Sequence, residues 1–144
     1  MRVSSVVSPL SGACALFRPA RLYLWTRAGR SLREYRRQCH PDGRAGAGDA
    51  FFKWMLTNRG NETRARLVPI HVTADGADFA EFPRDTALTA FDRDDRKFVA
   101  VALASSDSPP IVNATDTDWW LFREALARHG VTIEFLCPDL MRER

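Results

Sequence analysis

Three features of the sequence predict an α/β fold with a parallel sheet. Residues 110–136 read as strand, helix and strand, a βαβ unit that joins two parallel strands through a right-handed crossover. Carboxylates gather just ahead of two apolar helical stretches, at Asp92, Asp94 and Asp95 and again at Asp116 and Asp118, where the positive end of a helix favours them. The 144 residues, 45% hydrophobic and 27% charged, match one ordinary globular domain with its own core. This excludes collagen-like, low-complexity and wholly disordered classes and leaves one core to hold one active site.

The elements follow in order. Val3 to Ser8 supplies a candidate first strand, and Arg21 to Trp25 a short second one. Ser31 to Gln38 reads as a helix carrying Leu32, Glu34, Tyr35 and several Arg, and His40-Pro41-Asp42-Gly43 with Gly46 and Gly48 reads as a loop. Asp49 is placed to cap a helix through about Thr57, stopped by Asn58-Arg59-Gly60. With Phe51, Phe52, Trp54, Met55 and Leu56, that helix is apolar nearly all round, so it should be buried or face a partner. After turn signals at Asp75-Gly76 and at Phe82-Pro83-Arg84-Asp85, Phe98 to Ala104 forms an apolar helix. Pro110 to Ala114 is a buried strand and Trp119 to His129 a helix ended by Gly130. Val131 to Leu136 is a last strand stopped by Pro138.

Charge is distributed unevenly. Residues 1–48 hold nine Arg against Glu34 and Asp42, a net of +7, whereas 49–144 hold twelve Lys and Arg against sixteen Asp and Glu, a net of −4. A basic region beside a carboxylate-rich one suits a protein that grips a polyanion next to an acidic site. A general bias toward Arg explains the same numbers, since only two of the twenty-one basic residues are Lys. By composition the chain divides into an atypical segment 1–29, an α/β domain 30–138 and a tail 139–144. Arg18, Arg21, Arg27 and Arg30 interrupt the most apolar stretch, so no membrane span is expected. Ser8-Pro9 and Ser11-Gly12 break the run that a secretory leader needs. Cys14, Cys39 and Cys137 lack CxxC spacing and read as thiols in a reducing, cytoplasmic setting.

Chemistry concentrates in the carboxylates. Asp116 and Asp118, two residues apart at the end of a strand, and Asp95, at a helix start about twenty residues earlier, are placed to converge on one divalent cation. Mg²⁺ and Mn²⁺ take oxygen ligands, and Mg²⁺ keeps several waters, so few carboxylates suffice. Helix capping is the competing role for each of them. His40, His71 and His129 have no zinc-ligand spacing, and the chain has no GxGxxG or GxxxxGK[ST]. There is no nucleophile elbow to support a Ser-His-Asp hydrolase.

The stretches Asp94–Ala102, Ile111–Trp119 and Gly130–Phe135 resemble the C-terminal half of PIN-domain proteins. That resemblance implies a three-layer α/β/α domain with a mainly parallel sheet and an activity as a Mg²⁺- or Mn²⁺-dependent ribonuclease. It also implies a bacterial toxin-like setting with RNA as substrate and an antitoxin-like or other protein partner, with a homodimer as a further assembly. Asp95, Asp116 and Asp118 match the family's acidic positions, Trp119 its following aromatic, and Glu34 is similar to its upstream helical Glu. The implied metal ligands are these four carboxylates. Arg33, Arg36, Arg37 and Arg96 are then the residues to hold RNA phosphates, and Trp119 and Trp120 to stack bases or pack the core.

Two departures stand beside the matches. The family's first strand ends in a metal-binding Asp, and this chain has no Asp or Glu before Glu34; Ala114 also stands where relatives carry Ser or Thr. Losing one of four carboxylates is expected to weaken and displace the ion rather than abolish its binding. A displaced start, a degenerate nuclease and a different family each account for the gap. The alternative function is a catalytically inactive PIN-like domain that binds RNA or protein through its basic half and the helix at 49–57.

Overall fold

The computed structural model describes residues 4–7, 22–26, 36, 39, 47–113, 116–136 and 138–139. Five short strands form one parallel sheet: β1 (Ser4–Val7), β2 (Leu22–Thr26), β3 (Ala65–Val68), β4 (Ile111–Asn113) and β5 (Ile133–Phe135), in the order β3-β2-β1-β4-β5. Every pairing is parallel, with Val6 beside Ile111 and Val7 beside Val112 at the centre. The chain is therefore a mixed α/β protein, as its βαβ pattern predicts. The segment set apart by composition as 1–29 contributes β1 and β2, which pair directly with the rest of the sheet.

Among the described residues, α1 (Ala47–Asn58), α2 (Arg96–Ala104) and α3 (Thr117–Arg128) accompany the sheet. Helix α1 starts ahead of Asp49, so that carboxylate complements the first turn rather than capping it. Phe52 and Met55 bury one face of α1, while Lys53 and Thr57 are exposed. Strand β3 carries no alternating pattern in the sequence. Arg64 and Arg66 interrupt it and Pro69 ends it, yet Ala65 and Val68 are buried against the sheet.

Helix α2 lies against β1, β2 and β4 and is buried from Arg96 to Ala102. Its Phe98, Val99 and Val101 join Ile111, Trp119, Leu126 and Val131 in the main core. Helix α3 ends at Gly130, whose φ of 83° suits glycine, while Val131 N–H donates to Leu126 O over 3.1 Å. That arrangement satisfies the last carbonyls and aims β5 back alongside β4.

Between β3 and α2 runs an excursion, residues 69–95, with little regular structure beyond a single antiparallel bridge, Val72 to Phe79, and a 3₁₀ turn at Thr86–Leu88. Asp85 caps that turn by accepting from Ala87 N–H. Aromatic contacts tie the excursion to α3. Phe91 meets Trp119 edge-on with ring centroids 5.0 Å apart and Phe122 at 5.5 Å, and Phe82 stacks on Phe91 at 6.1 Å. Among the described residues no helix is long and apolar enough to cross a membrane.

Candidate functional site

A parallel sheet of this order reverses direction between its central strands. The chain builds outward from β1 through β2 to β3, then returns to the other side of β1 for β4 and β5. The carboxyl ends of β1 and β4 thus flank the point where the strand order reverses, the place where α/β sheets commonly bind ligands. Asp116 lies three residues beyond Asn113, the last residue of β4, and the helices that follow point their N-termini to this end of the sheet.

Asn113 sets the course of that loop. Its side chain is fully buried, and its amide donates to Asp116 O over 2.9 Å while its Oδ1 accepts from Asp116 N–H over 3.1 Å. The side chain thus bonds the backbone of Asp116 as a neighbouring strand would, satisfying both polar groups where the sheet ends. Sequence reading passed over Asn113 as an ordinary strand residue. Its position as a polar end to an otherwise apolar Ile111-Val112-Asn113 was the available signal.

Asp116 is the N-cap of α3, as expected: it has extended backbone, and its Oδ1 accepts from Asp118 N–H over 3.0 Å. Its pKa is raised, first by burial and then by the charges of Asp118 and Asp92, against the lowering effect of the Asp118 N–H bond. Asp118 is half-exposed in the first turn of α3. Asp95 departs from the capping expectation. It sits at the N-cap of α2, but its backbone is helical and its side chain makes no capping bond. The carboxylate turns inward, only 3% exposed, and Oδ2 accepts from the indole Nε1–H of Trp119 over 3.0 Å.

Burial, then the negative charges of Asp116 and Asp92, push the pKa of Asp95 up to about 7; the Trp119 bond and the Lys97 ammonium oppose this. Asp95 thus feels the charges of Asp116 and Asp92, and Asp116 that of Asp92. Asp92 belongs to this group although only Asp95 was singled out from its cluster. It is exposed, and its Oδ1 accepts from Asp94 N–H over 2.8 Å. Asp95 and Asp116, both raised in pKa partly by neighbouring carboxylates, offer oxygen donors of the kind Mg²⁺ or Mn²⁺ binds, and Mg²⁺ commonly needs only one or two carboxylates from the protein. Among the described residues no three carboxylate, histidine or cysteine side chains close into a ready-made ligand set.

The remaining predicted residues divide. Glu34, Arg33 and Arg37 lie outside the described residues, and Arg36 is exposed. Arg96, expected to hold phosphate, is corrected by its surroundings. It is 9% exposed, ion-paired with Asp78, and donates to the carbonyls of Leu88, Thr89 and Phe91. Its guanidinium also lies 4.7 Å from the Phe82 ring centroid. With its donors so engaged, it ties the excursion to α2 rather than reaching a ligand. Trp119 is a core residue and the donor to Asp95, so it stacks no base. Trp120 is half-buried, packed edge-on against Phe135 at 5.1 Å with the Arg123 guanidinium 4.3 Å from its ring centroid.

Fold and site together define a mixed α/β protein with a group of neighbouring carboxylates, Asp92, Asp95 and Asp116, ahead of α2 and α3. No family model, curated protein or solved structure matches the chain.

Proposed function

We propose that the protein is a PIN-like, Mg²⁺- or Mn²⁺-dependent ribonuclease that cleaves phosphodiester bonds in single-stranded RNA, folded as a three-layer α/β/α domain. The observation that supports this reading is that Asp95 and Asp116, at the starts of two separate helices, are near enough for the charge of Asp116 to raise the pKa of Asp95. Asp116 and Asp95 would hold the cation directly, with Asp118 and Glu34 as direct or water-mediated partners. When bound, the divalent ion supplies an acidified water and offsets the charge that builds on the phosphate oxygens.

The residues themselves do the positioning. Trp119 orients Asp95 by donating its indole N–H to Oδ2, which leaves Oδ1 as the oxygen that would meet the cation. Asn113 fixes the backbone of Asp116, and with it the height of the carboxylate above the sheet. The Asp118 N–H leaves the second oxygen of Asp116 available to a ligand. Arg33, Arg36 and Arg37 would attract the RNA backbone through charge.

Cleavage of a mixed single-stranded RNA pool tests the reading. Cutting is expected with Mn²⁺, absent with EDTA, and lost in Asp116→Asn, which keeps an oxygen to cap α3. A folded protein that cuts nothing overturns the nuclease assignment and favours the inactive PIN-like module, identified by salt-sensitive RNA binding without metal. Cutting that survives EDTA removes the metal from the mechanism.

A further inference from the structure

The excursion 69–95, with Arg96 of α2, lines an open pocket of about 430 Å³, within the roughly 300–1,000 Å³ common for ligand pockets. Its walls are chemically divided. Phe79, Phe82 and Pro83 supply apolar surface, Arg84 and Arg93 supply guanidinium groups, and Thr73 and Thr86 add hydroxyls. A second pocket continues it, sharing Thr73, Asp78 and Arg84.

The carboxylates in the cavity wall are engaged within the protein. Asp78 pairs with Arg96, and its other oxygen accepts from Phe79 N–H over 2.9 Å. Asp85 caps the 3₁₀ turn and meets Arg128 at 3.4 Å and His129 at 2.9 Å. Asp75, in the second pocket, accepts from Thr73 Oγ1 and Ala77 N–H and feels the charge of Arg93, so the exposed Arg84 and Arg93 are the cations available to a ligand beside an aromatic wall. Phosphate matches the first half and a planar base the second.

Position gives the cavity its meaning. Asp92 and Asp95, three apart, belong to the group of neighbouring carboxylates, while Arg93 and Arg96, also three apart, line the cavity. Both pairs lie in the turn that leads into α2, where Asp95 N–H donates to Asp92 O over 3.2 Å and Phe98 N–H to Asp95 O over 2.9 Å. That spacing sets the two pairs on adjoining faces of one turn.

We infer that this cavity is a nucleotide subsite, seating one base against Phe79 and Pro83 and its phosphate at Arg84 and Arg93, beside that group of carboxylates. The assignment rests on the proposed nuclease reading insofar as it places a unit of the substrate strand there. The same chemistry would come from a free nucleoside monophosphate, and the experiment separates the two sources.

The full chain in EDTA is titrated with a labelled single-stranded oligonucleotide, with a nucleoside 5′-monophosphate and with inorganic phosphate. Arg84→Gln and Arg93→Gln should each weaken nucleotide binding about tenfold. Together they should lower the salt dependence of oligonucleotide binding by about two phosphate contacts, while Arg59→Gln, at the end of α1, changes neither. All three positions are exposed, and melting curves confirm folding of the variants. Tighter binding of the oligonucleotide assigns the subsite to a strand; equal or tighter binding of the monophosphate assigns it to a free nucleotide. The inference is overturned if phosphate binds as well as the nucleotide, if the double variant binds like the wild type, or if nothing binds. Because EDTA removes any role for the cation, these outcomes are independent of cleavage. Arginine-dependent binding in a protein whose Asp116→Asn variant still cuts RNA would keep the subsite and remove the metal-centred mechanism.

Discussion

Asp95 and Asp116 open two helices of the same sheet, yet the two helix starts are built differently. Asp116 has extended backbone and spends one oxygen on the Asp118 N–H, so the amide it caps offsets part of the penalty of its burial. Asp95 has helical backbone, leaves the amides of α2 alone and turns into the core, where an indole N–H from 24 residues along the chain is its partner. One carboxylate strengthens its helix, and the other is held at a cost for some other purpose. The comparison teaches that occupancy of an N-cap position does not decide what the side chain does; the backbone angle and the nearest competing donor do.

The largest effect should come from removing that competing donor. Trp119→Phe deprives a buried carboxylate of its N–H and shrinks a fully buried ring, so a loss of about 4 kcal/mol is expected in urea unfolding at pH 8. In an Asp95→Asn background the same change should cost about half as much. An equal cost there would assign the whole effect to packing and dissolve the distinction between the two helix starts.

Next in size is the charge of Asp95 itself. Its folded-state pKa of about 7 lies above the ~3.9 of an unfolded aspartate, so the folded protein binds this proton more tightly. The stability it confers when protonated is complete below about pH 4 and is lost as pH rises through 7. Asp95→Asn should therefore stabilise the metal-free protein by about 2–3 kcal/mol at pH 8 and by nothing at pH 4, read from melting curves in EDTA across that range. A gain that does not vary with pH would show that ionisation is not the source.

The smallest change tests the conventional cap. Asp116→Ala should cost about 1 kcal/mol, while Asp116→Asn, which retains an oxygen for Asp118 N–H, should stay within a few tenths. Equal losses from the two variants in urea titrations would mean that the cap bond contributes little to α3.

The same contrast explains what the sequence could reveal. Asp116 was legible as a cap because capping joins residues two apart, and Gly130 as a helix stop because its left-handed backbone favours glycine locally. The pattern from 110 to 136 was legible because strand and helix periods alternate over a short distance, and the strands at 4–7 and 22–26 lie where short apolar runs suggested them. The sequence left Asp95 between metal ligand and helix cap and could not show its indole partner, 24 residues away; nor could it show the ion-pair partner of Arg96, Asp78, 18 residues away in a stretch without periodicity. Strand β3 went unread because four residues with a charge among them carry no alternation, and only the neighbouring strand defines it. The cavity was invisible for the same reason, since its walls meet only once the excursion has folded over α2.

Arg96 makes that folding over conditional. One guanidinium reaches the Asp78 carboxylate and three backbone carbonyls at residues 88, 89 and 91, while its own backbone belongs to the first turn of α2. Releasing the excursion or unwinding the turn would each break the Asp78 pair and the carbonyl bonds together. In the language of local unfolding, residues 78–91 and the start of α2 form a single cooperative unit that opens all at once or not at all.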